Sequence, residues 1–423
     1  MAGPIILSNV SVPLLGMVDT AVMGHLAEPY YIGAVAIGAM IFNFIYHGFN
    51  CLRMGTTGPT AQARGAGSYA EVRALAGRSL FLAAVIGVSI VALQVPVIDF
   101  AFWAIDASPE VESLGREYFL IRVWAMPAVL GTYAIIGWLY GLLDARVPLV
   151  LQLVTNGINI VLDFLFVFGF GWDVAGVATA SVIAEYCGLL LGLFYMRRAL
   201  RRLPAGEDDA RLFDAQRMRR MIAINTDIFL RTMCVVSAFA VFMAKSATLG
   251  DVTLAANQIL HHFLIITSFG LDGIAHAAEA ILGGSAGRRK REEFARGVRT
   301  VLLWAGFVGL LNVLVYAAAG SGIIALMTSI PAVQEIAGAF LPWAVLMPLV
   351  STWAYTYDGI YLAATRTKAM RNSMLFSFVL FLALQHFMLP AYGNPGLWGA
   401  VAVFMAARGV TLFLYYPRLL RGI

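Results

Sequence analysis

Glycines, a proline and a polar residue recur in this sequence about 222 positions apart, inside segments that are otherwise apolar. Gly65 returns as Gly287, Gly137 as Gly359 and Gly171 as Gly393. Met126-Pro127 returns one place out of step as Met347-Pro348, and Asn50 in Gly48-Phe49-Asn50 returns as Asp272 in Gly270-Leu271-Asp272. Residues of these types set kinks, close helix contacts and polar positions, so an offset shared by five landmarks marks an internal duplication of helices. A fold that obeys this constraint is built from two halves of one topology.

Composition says what surrounds those helices. Of the 423 residues, 60% are hydrophobic and only 13% charged, too few charges to wet the surface of a soluble protein of this size. The chain therefore reads as an all-α polytopic membrane protein. About twelve spans are expected, over residues 4–25, 30–57, 73–104, 112–143, 147–169, 174–197, 218–248, 252–283, 297–320, 334–365, 370–390 and 397–416. Several exceed the ~20 residues that a bilayer requires, so they tilt or project beyond it. Twenty-three of the 29 Lys and Arg fall in the loops of one side, eight of them between Arg197 and Arg220. The positive-inside rule puts that side, and both termini, in the cytoplasm. The net charge of +5 then reflects topology and anionic lipid, and makes no case for nucleic acid.

The one long polar stretch divides the chain into an N-terminal six-helix lobe over 1–200, a cytoplasmic linker over 201–216 and a C-terminal six-helix lobe over 217–423. An even number of spans per half relates the two bundles by a pseudo-two-fold axis along the membrane normal, with a cavity between them. The apolar run from Pro4 continues through Asp19 without a cleavage pattern, so no cleavable leader is expected. Either the natural start lies upstream of Met1, or span one is short at its cytoplasmic end.

A charged side chain at the bilayer centre costs at least ~2.5–3.5 kcal/mol, so each one needs a reason. Asp19 follows Pro13, which removes a backbone hydrogen bond, and Gly16, which removes bulk, so its helix can bend just before the acid. Burial among Leu, Met and Val favours the neutral carboxyl, which suits a group that takes up and releases a proton. The alternative is a packing role through bonds to neighbouring polar groups. Asn156, Asn159 and Asp163 fall at i, i+3 and i+7, one polar stripe on an apolar helix, and serve either such a site or an interhelical clamp. The offset of 222 carries Asp163 to Gln385 and the two asparagines to Phe378 and Phe381, and there is no acid near Val241, the counterpart of Asp19. The Asp19/Asp163 pair thus belongs to the first half alone.

The second half has its own set. Asp272, His276 and Glu279 lie at i, i+4 and i+7, Arg231 lies four residues after Asp227, and Asp358 lies on span ten. Buried acids near a buried arginine more often make an ion-pair network than a transport site, with a gating or cation role as the alternative. Arg53, Arg122, Lys245, Glu185 and Arg408 are placed nearer span ends, where long side chains snorkel to the interface. Aromatic residues gather in spans four and ten. Tyr133 and Tyr140, together with Asn43, Asn50 and Asn156, are the candidates to line a cavity, by cation–π contact or hydrogen bonding, or else to pack helices. No cofactor or metal is expected, because the three cysteines are scattered and no His or Cys group has ligand spacing. There is no G-x-x-x-x-G-K-[ST] for ATP and no G-x-S-x-G elbow, so an enzyme is not expected.

At this point the residues resemble a known family. The opening Pro4-Ile-Ile-Leu-Ser-Asn and Pro13-Leu-Leu-Gly-Met-Val-Asp19-Thr are similar to the first helix of multidrug and toxic compound extrusion (MATE) transporters, in particular the DNA-damage-inducible F branch. Arg53-Met-Gly-Thr-Thr-Gly, Asn159-Ile-Val-Leu-Asp163, Leu271-Asp272-Gly and Ala364-Thr-Arg-Thr-Lys-Ala-Met-Arg-Asn372 extend the likeness along the chain. The resemblance implies twelve helices in two lobes forming a V, exporting organic cations in exchange for H⁺ or Na⁺, with the small-molecule substrate and the bilayer as partners of a monomer. It implies that Pro4 is the bending proline of helix one, Asp19 the proton-binding acid, and Asn159 and Asp163 parts of the same network. The sodium-coupled branch holds its cation on acids of the C-terminal lobe, where Arg231 already supplies positive charge here. H⁺ is therefore the expected coupling ion and Na⁺ the less favoured one. A flippase for lipids or lipid-linked precursors would suit the same hydropathy, but would call for a cationic cavity where this first half has acids.

Overall fold

A computed structural model of the chain describes residues 3, 5, 29–105, 108–204 and 211–423. The first expected span, with Pro4, Pro13 and Asp19, lies outside the described residues. The other eleven expected spans are present as helices long and apolar enough to cross a membrane. They are α1 (Pro29–Phe49) with α2 (Cys51–Gly65), α3 (Tyr69–Ala92) with α4 (Gln94–Ala104), α5 (Pro109–Arg122) with α6 (Met126–Gly141), α7 (Arg146–Asp163) and α8 (Asp173–Arg202). The second half follows as α9 (Ala215–Ala247), α10 (Asp251–Gly287), α11 (Arg291–Met327), α12 (Pro331–Ala363), α13 (Thr367–Tyr392) and α14 (Asn394–Arg421).

The interruptions have local causes. Pro96 cannot bond back to Ala92, and α3 ends at that residue. Pro127 likewise leaves the Val123 carbonyl without its helical donor, and the three residues Val123–Ala125 tighten into a 3₁₀ turn before α6. In the second half Pro348 lies inside a continuous α12, where the Thr352 hydroxyl donates to the Pro348 carbonyl at 2.6 Å. Asn50 stands at the break between α1 and α2, and its carbonyl accepts from the N–H groups of Arg53 and Met54.

The chain forms two compact units, Gly3–Ile222 and Ala223–Ile423, each with its own apolar core. Within each unit the same element is central. α6 packs on α2, α3 and α8, and its counterpart α12 packs on α10, α11 and α14. The duplication is also written in the backbone. Positive φ occurs at Gly67 (75°) and Arg289 (54°), at Leu143 (66°) and Thr365 (51°), and at Gly171 (69°) and Gly393 (62°), every pair 222 residues apart. The two central helices approach their neighbours through matched glycines. A methyl group on Gly137 would strike the Arg53 carbonyl, and one on Gly359 would lie 2.6 Å from the Ala275 carbonyl, again the same pair of positions shifted by 222. This is the small-residue contact by which membrane helices pack without a hydrophobic driving force.

At one end of the first unit the chain beyond α8 is held against α3. Arg73 donates to the Leu200, Leu203 and Pro204 carbonyls at 2.8–3.0 Å, capping the C-terminus of α8. Glu71 pairs with the buried Arg78 at 2.8 Å and also with Arg217 at the start of α9. Leu212 lies over Gly77, and Phe213 packs edge-on against Phe81. Asp214 caps α9 by accepting from the Arg217 N–H, which holds its carboxyl below the usual carboxylate range.

Two predictions follow the glycines. Gly137→Ala and Gly359→Ala should each destabilise the purified protein by about 1–3 kcal/mol through overpacking. Gly157→Ala, where nothing lies within 4 Å of the added methyl, should be neutral or stabilising by up to ~1 kcal/mol. Thermal unfolding in detergent distinguishes them, and equal shifts for all three would contradict the close-contact reading. Gly393 has ψ −138° as well as positive φ, a conformation essentially restricted to glycine. Gly393→Ala should therefore cost roughly 1–3 kcal/mol in the same measurement.

Candidate functional site

In the first unit α7 carries its polar stripe into the interior. Asn156, Asn159 and Asp163 are 7%, 2% and 0% exposed. The spacing puts the three side chains on one face of α7, and α7 packs on α8. Asn159 donates from Nδ2 to the Ser181 hydroxyl at 3.3 Å, and Gln152 donates to Asn156 Oδ1 at 2.8 Å. Directly after Asp163 the helix widens into a π-helical stretch, Phe164–Gly169, a form that recurs at functional sites in other helices.

A second set of polar residues lies in the same unit, on five helices. Arg122, the last residue of α5, donates to the Tyr118 hydroxyl and lies 5.4 Å over the Phe42 ring and 5.3 Å over that of Tyr118. Its charge acts on Tyr46 of α1 and on Glu185 of α8, and Tyr133 of α6 lies in the field of Glu185, Tyr46 and Arg53. Tyr140 is buried on α6 within the field of Arg53, Asn50 is half-buried at its helix break, and Asn43 is exposed on the surface of the unit.

The second unit brings its charges into direct contact. Asp358 of α12 accepts at one oxygen, Oδ2, from both Arg231 of α9 and Arg408 of α14, the latter at 2.9 Å. Arg408 is 1% exposed, lies 5.4 Å over Tyr355 and 5.5 Å over Phe404, and donates to the Met405 sulfur at 3.1 Å. Asp272 is half-buried within the field that reaches Arg231 and Tyr355. Farther along α10, His276 Nδ1 lies 3.7 Å from Glu279 Oε2, both residues buried.

Three sequence readings change. Arg408 does not snorkel, for it lies fourteen residues from the start of α14 and thirteen from its end, inside the unit. Glu185 stands twelve residues into the thirty-residue α8, about 18 Å along its axis, and not at a span end. Asp227 does not join Arg231. It accepts from Thr367 at 2.8 Å and from Arg371 at 2.7 Å. Counting residues from each helix end would have found the first two. The pairing of Asp227 across to α13 had no local signal.

Two guanidiniums on one carboxylate make Asp358 the keystone of its cluster. Removing one partner of a buried ion pair costs about 3–5 kcal/mol, because the remaining charge is stranded. Asp358→Ala should thus lower the unfolding midpoint sharply, and adding Arg408→Met to it should restore part of the loss. Thermal unfolding of the single and double variants in detergent checks this, and an unchanged midpoint for Asp358→Ala would refute it.

The MatE family model matches residues 4–165 and again 228–386, one match in each half. The chain is 40% identical over 418 residues to DNA damage-inducible protein F of Escherichia coli (strain K12), covering 99% of this chain and 91% of that protein. It is 26% identical over 358 residues to a probable multidrug resistance protein NorM of Neisseria meningitidis serogroup B, covering 81% of this chain and 76% of that protein. Among solved structures, a MATE transporter in the bent conformation superposes with a TM-score of 0.88 at 18% identity, covering 98% of this chain and 93% of that one. A MOP-superfamily transporter from Pyrococcus furiosus superposes with a TM-score of 0.87, also at 18% identity, covering 99% and 94%. The duplicated helical halves and the match along both of them lead to one conclusion: the chain belongs to the MATE family, in its DNA-damage-inducible F branch, and is a membrane transporter and not an enzyme.

Proposed function

We propose that this transporter exports organic, often cationic, compounds from the cytoplasm or inner leaflet of a bacterial inner membrane in exchange for H⁺, as a monomer with both termini cytoplasmic. The observation that carries the choice of ion is the contrast between the halves. Asp358 is held by Arg231 and Arg408, so two fixed cations already stand where a sodium ion would need carboxylate oxygens. The first half instead offers Asp163, wholly buried at the end of α7, one turn from Asn159. In this reading Asp19 and Asp163 carry the proton, Asn159 belongs to their network, and Pro4 and Pro13 let helix one bend. Asn43, Asn50, Asn156, Tyr133 and Tyr140 contact the substrate, while Asp272, His276, Glu279, Arg231 and Asp358 hold the C-terminal lobe together. The lobes are 1–200 and 217–423, joined by the linker over 201–216.

The cycle follows from differential affinity. Deprotonated Asp19 favours a cationic substrate from inside, and protonation from outside removes that charge and releases the substrate outward. Only a difference of this kind between states can drive the switch. One proton crossing roughly 100 mV and roughly one pH unit supplies about 2.3 + 1.4 kcal/mol, enough for a gradient of a few hundred-fold in a neutral substrate.

The test uses proteoliposomes loaded with a fluorescent organic cation, driven in turn by a pH gradient and a Na⁺ gradient. Flux under ΔpH alone is expected, lost in Asp19→Asn and reduced about tenfold or more in Asp163→Asn. Na⁺-driven flux that survives Asp19→Asn would move coupling to the second half. Flux under neither gradient would favour transport of lipid or lipid-linked precursors instead.

A further inference from the structure

The four arginines at the end of α8 take no part in the proposed transport cycle. Ile183, Leu190 and Phe194 lie on one exposed face of this helix, seven and then four residues apart, with Leu190 and Phe194 65% and 58% exposed. The next positions on the same face are Arg197, Arg198 and Arg201, and Arg202 stands one turn beyond Arg198. Within one turn the face changes from aromatic to cationic. The change falls at a definite depth. Asp173 opens α8 and Phe194 stands 21 residues farther on, about 32 Å along the axis, against ~30 Å of bilayer hydrocarbon. Just before Asp173, the exposed Phe170 and Trp172 pack with ring centroids 5.8 Å apart, as aromatic residues do at a membrane–water interface. The arginines at the opposite end therefore stand at the level of the lipid phosphates.

Basic residues at a helix C-terminus commonly serve its last carbonyls. Here Arg73 of α3 already donates to those of Leu200, Leu203 and Pro204. Arg197, Arg198, Arg201 and Arg202 are all exposed, and among the described residues none of them is in an ion pair or a side-chain hydrogen bond. The corresponding helix of the second half, α14, differs. It ends in Arg418, which lies 5.4 Å over the Tyr415 ring, and Arg421, which donates to the Pro417 carbonyl at 3.4 Å. The duplicated fold thus carries four uncommitted guanidiniums on one helix end and two committed ones on the other. Arg197 with Arg201, and Arg198 with Arg202, are neighbours one turn apart, about 6 Å, so each pair can close on one phosphate.

We propose that the cytoplasmic end of α8 is a binding site for an anionic phospholipid, and that a headgroup with two phosphates fits it best. Arg197 and Arg201 take one phosphate and Arg198 and Arg202 the other, while the acyl chains lie along Leu190 and Phe194. Lipid bound there neutralises four charges where α8 leaves the bilayer and holds the end of the first half at the inner leaflet. The site is the same whichever ion drives transport.

Native mass spectrometry of the purified full-length protein in a neutral detergent, titrated with cardiolipin, phosphatidylglycerol or phosphatidylcholine, tests it. Cardiolipin should bind most tightly and phosphatidylcholine at least about tenfold more weakly. Arg197→Gln with Arg201→Gln should raise the cardiolipin Kd about tenfold or more, and Arg198→Gln with Arg202→Gln repeats the test at the second pair. Arg418→Gln with Arg421→Gln removes the same charge from α14 and should leave that Kd unchanged. The lipid-free thermal unfolding midpoint should not move in the α8 variants, whose altered side chains are exposed. Equal losses from the α8 and α14 variants would reduce the effect to net cytoplasmic charge, and equal binding of phosphatidylcholine would reduce it to apolar contact. Either result overturns the proposal. So would displacement of cardiolipin by inorganic pyrophosphate at equal concentration, which would make this a site for soluble phosphates.

Discussion

Hydrocarbon has no water to receive an unmatched charge or an unmatched backbone group, and every unusual feature of this fold answers to that fact. In the second unit the answer is local neutralisation, with Arg231, Asp358 and Arg408 drawn from three helices into one contact group. That group binds α9, α12 and α14 more specifically than apolar packing could, since a shift of one turn in any of them would strand a charge. The helix contacts around it can then be made through small residues, as at Gly359 against the Ala275 carbonyl. The electrostatic pin and the glycine contact are complementary. One fixes register, the other permits approach.

The first unit meets the same constraint differently. Its buried acid Asp163 ends an α-helix where the backbone loosens into π geometry, and its asparagines bond to Ser181 on α8 and to Gln152 one turn earlier on α7. The duplicated scaffold thus carries a contact ion-pair group in one half and, in the other, a buried stripe of two amides and a carboxyl group.

How much of this could be read beforehand varied with the kind of residue. The duplication was legible because glycine and proline act through the backbone, so Gly137 and Gly359 announce the same contact whatever surrounds them. Even so, half of the evidence for it is invisible in the letters, since the left-handed turns at Leu143, Thr365 and Arg289 carry no glycine to mark them. Span positions followed from hydropathy, but the differing fates of Pro127, which follows a 3₁₀ turn, and Pro348, which lies inside a continuous helix, did not. The stripe Asn156, Asn159 and Asp163 was apparent from period alone. The partners of Asp358 and Asp227 were not, for a pair separated by 50 or 140 residues is decided by tertiary packing. Arg408 and Glu185 were misplaced by treating charge as a span-end property when their distance from both ends already excluded it.

The clasp of Glu71 and Arg73 bears on how the chain is made. The first unit is not finished when its last helix, α8, leaves the ribosome, because Glu71 takes its second partner from Arg217 and Gly77 its cover from Leu212. Until roughly residue 220 has been synthesised, the end of α3 keeps an exposed acid and an open apolar groove. The segment that closes them is also the start of the next half. Translation of the second half therefore begins by completing the first, and two separately expressed halves divided between residues 204 and 211 would carry matching halves of a clasp by which to find each other.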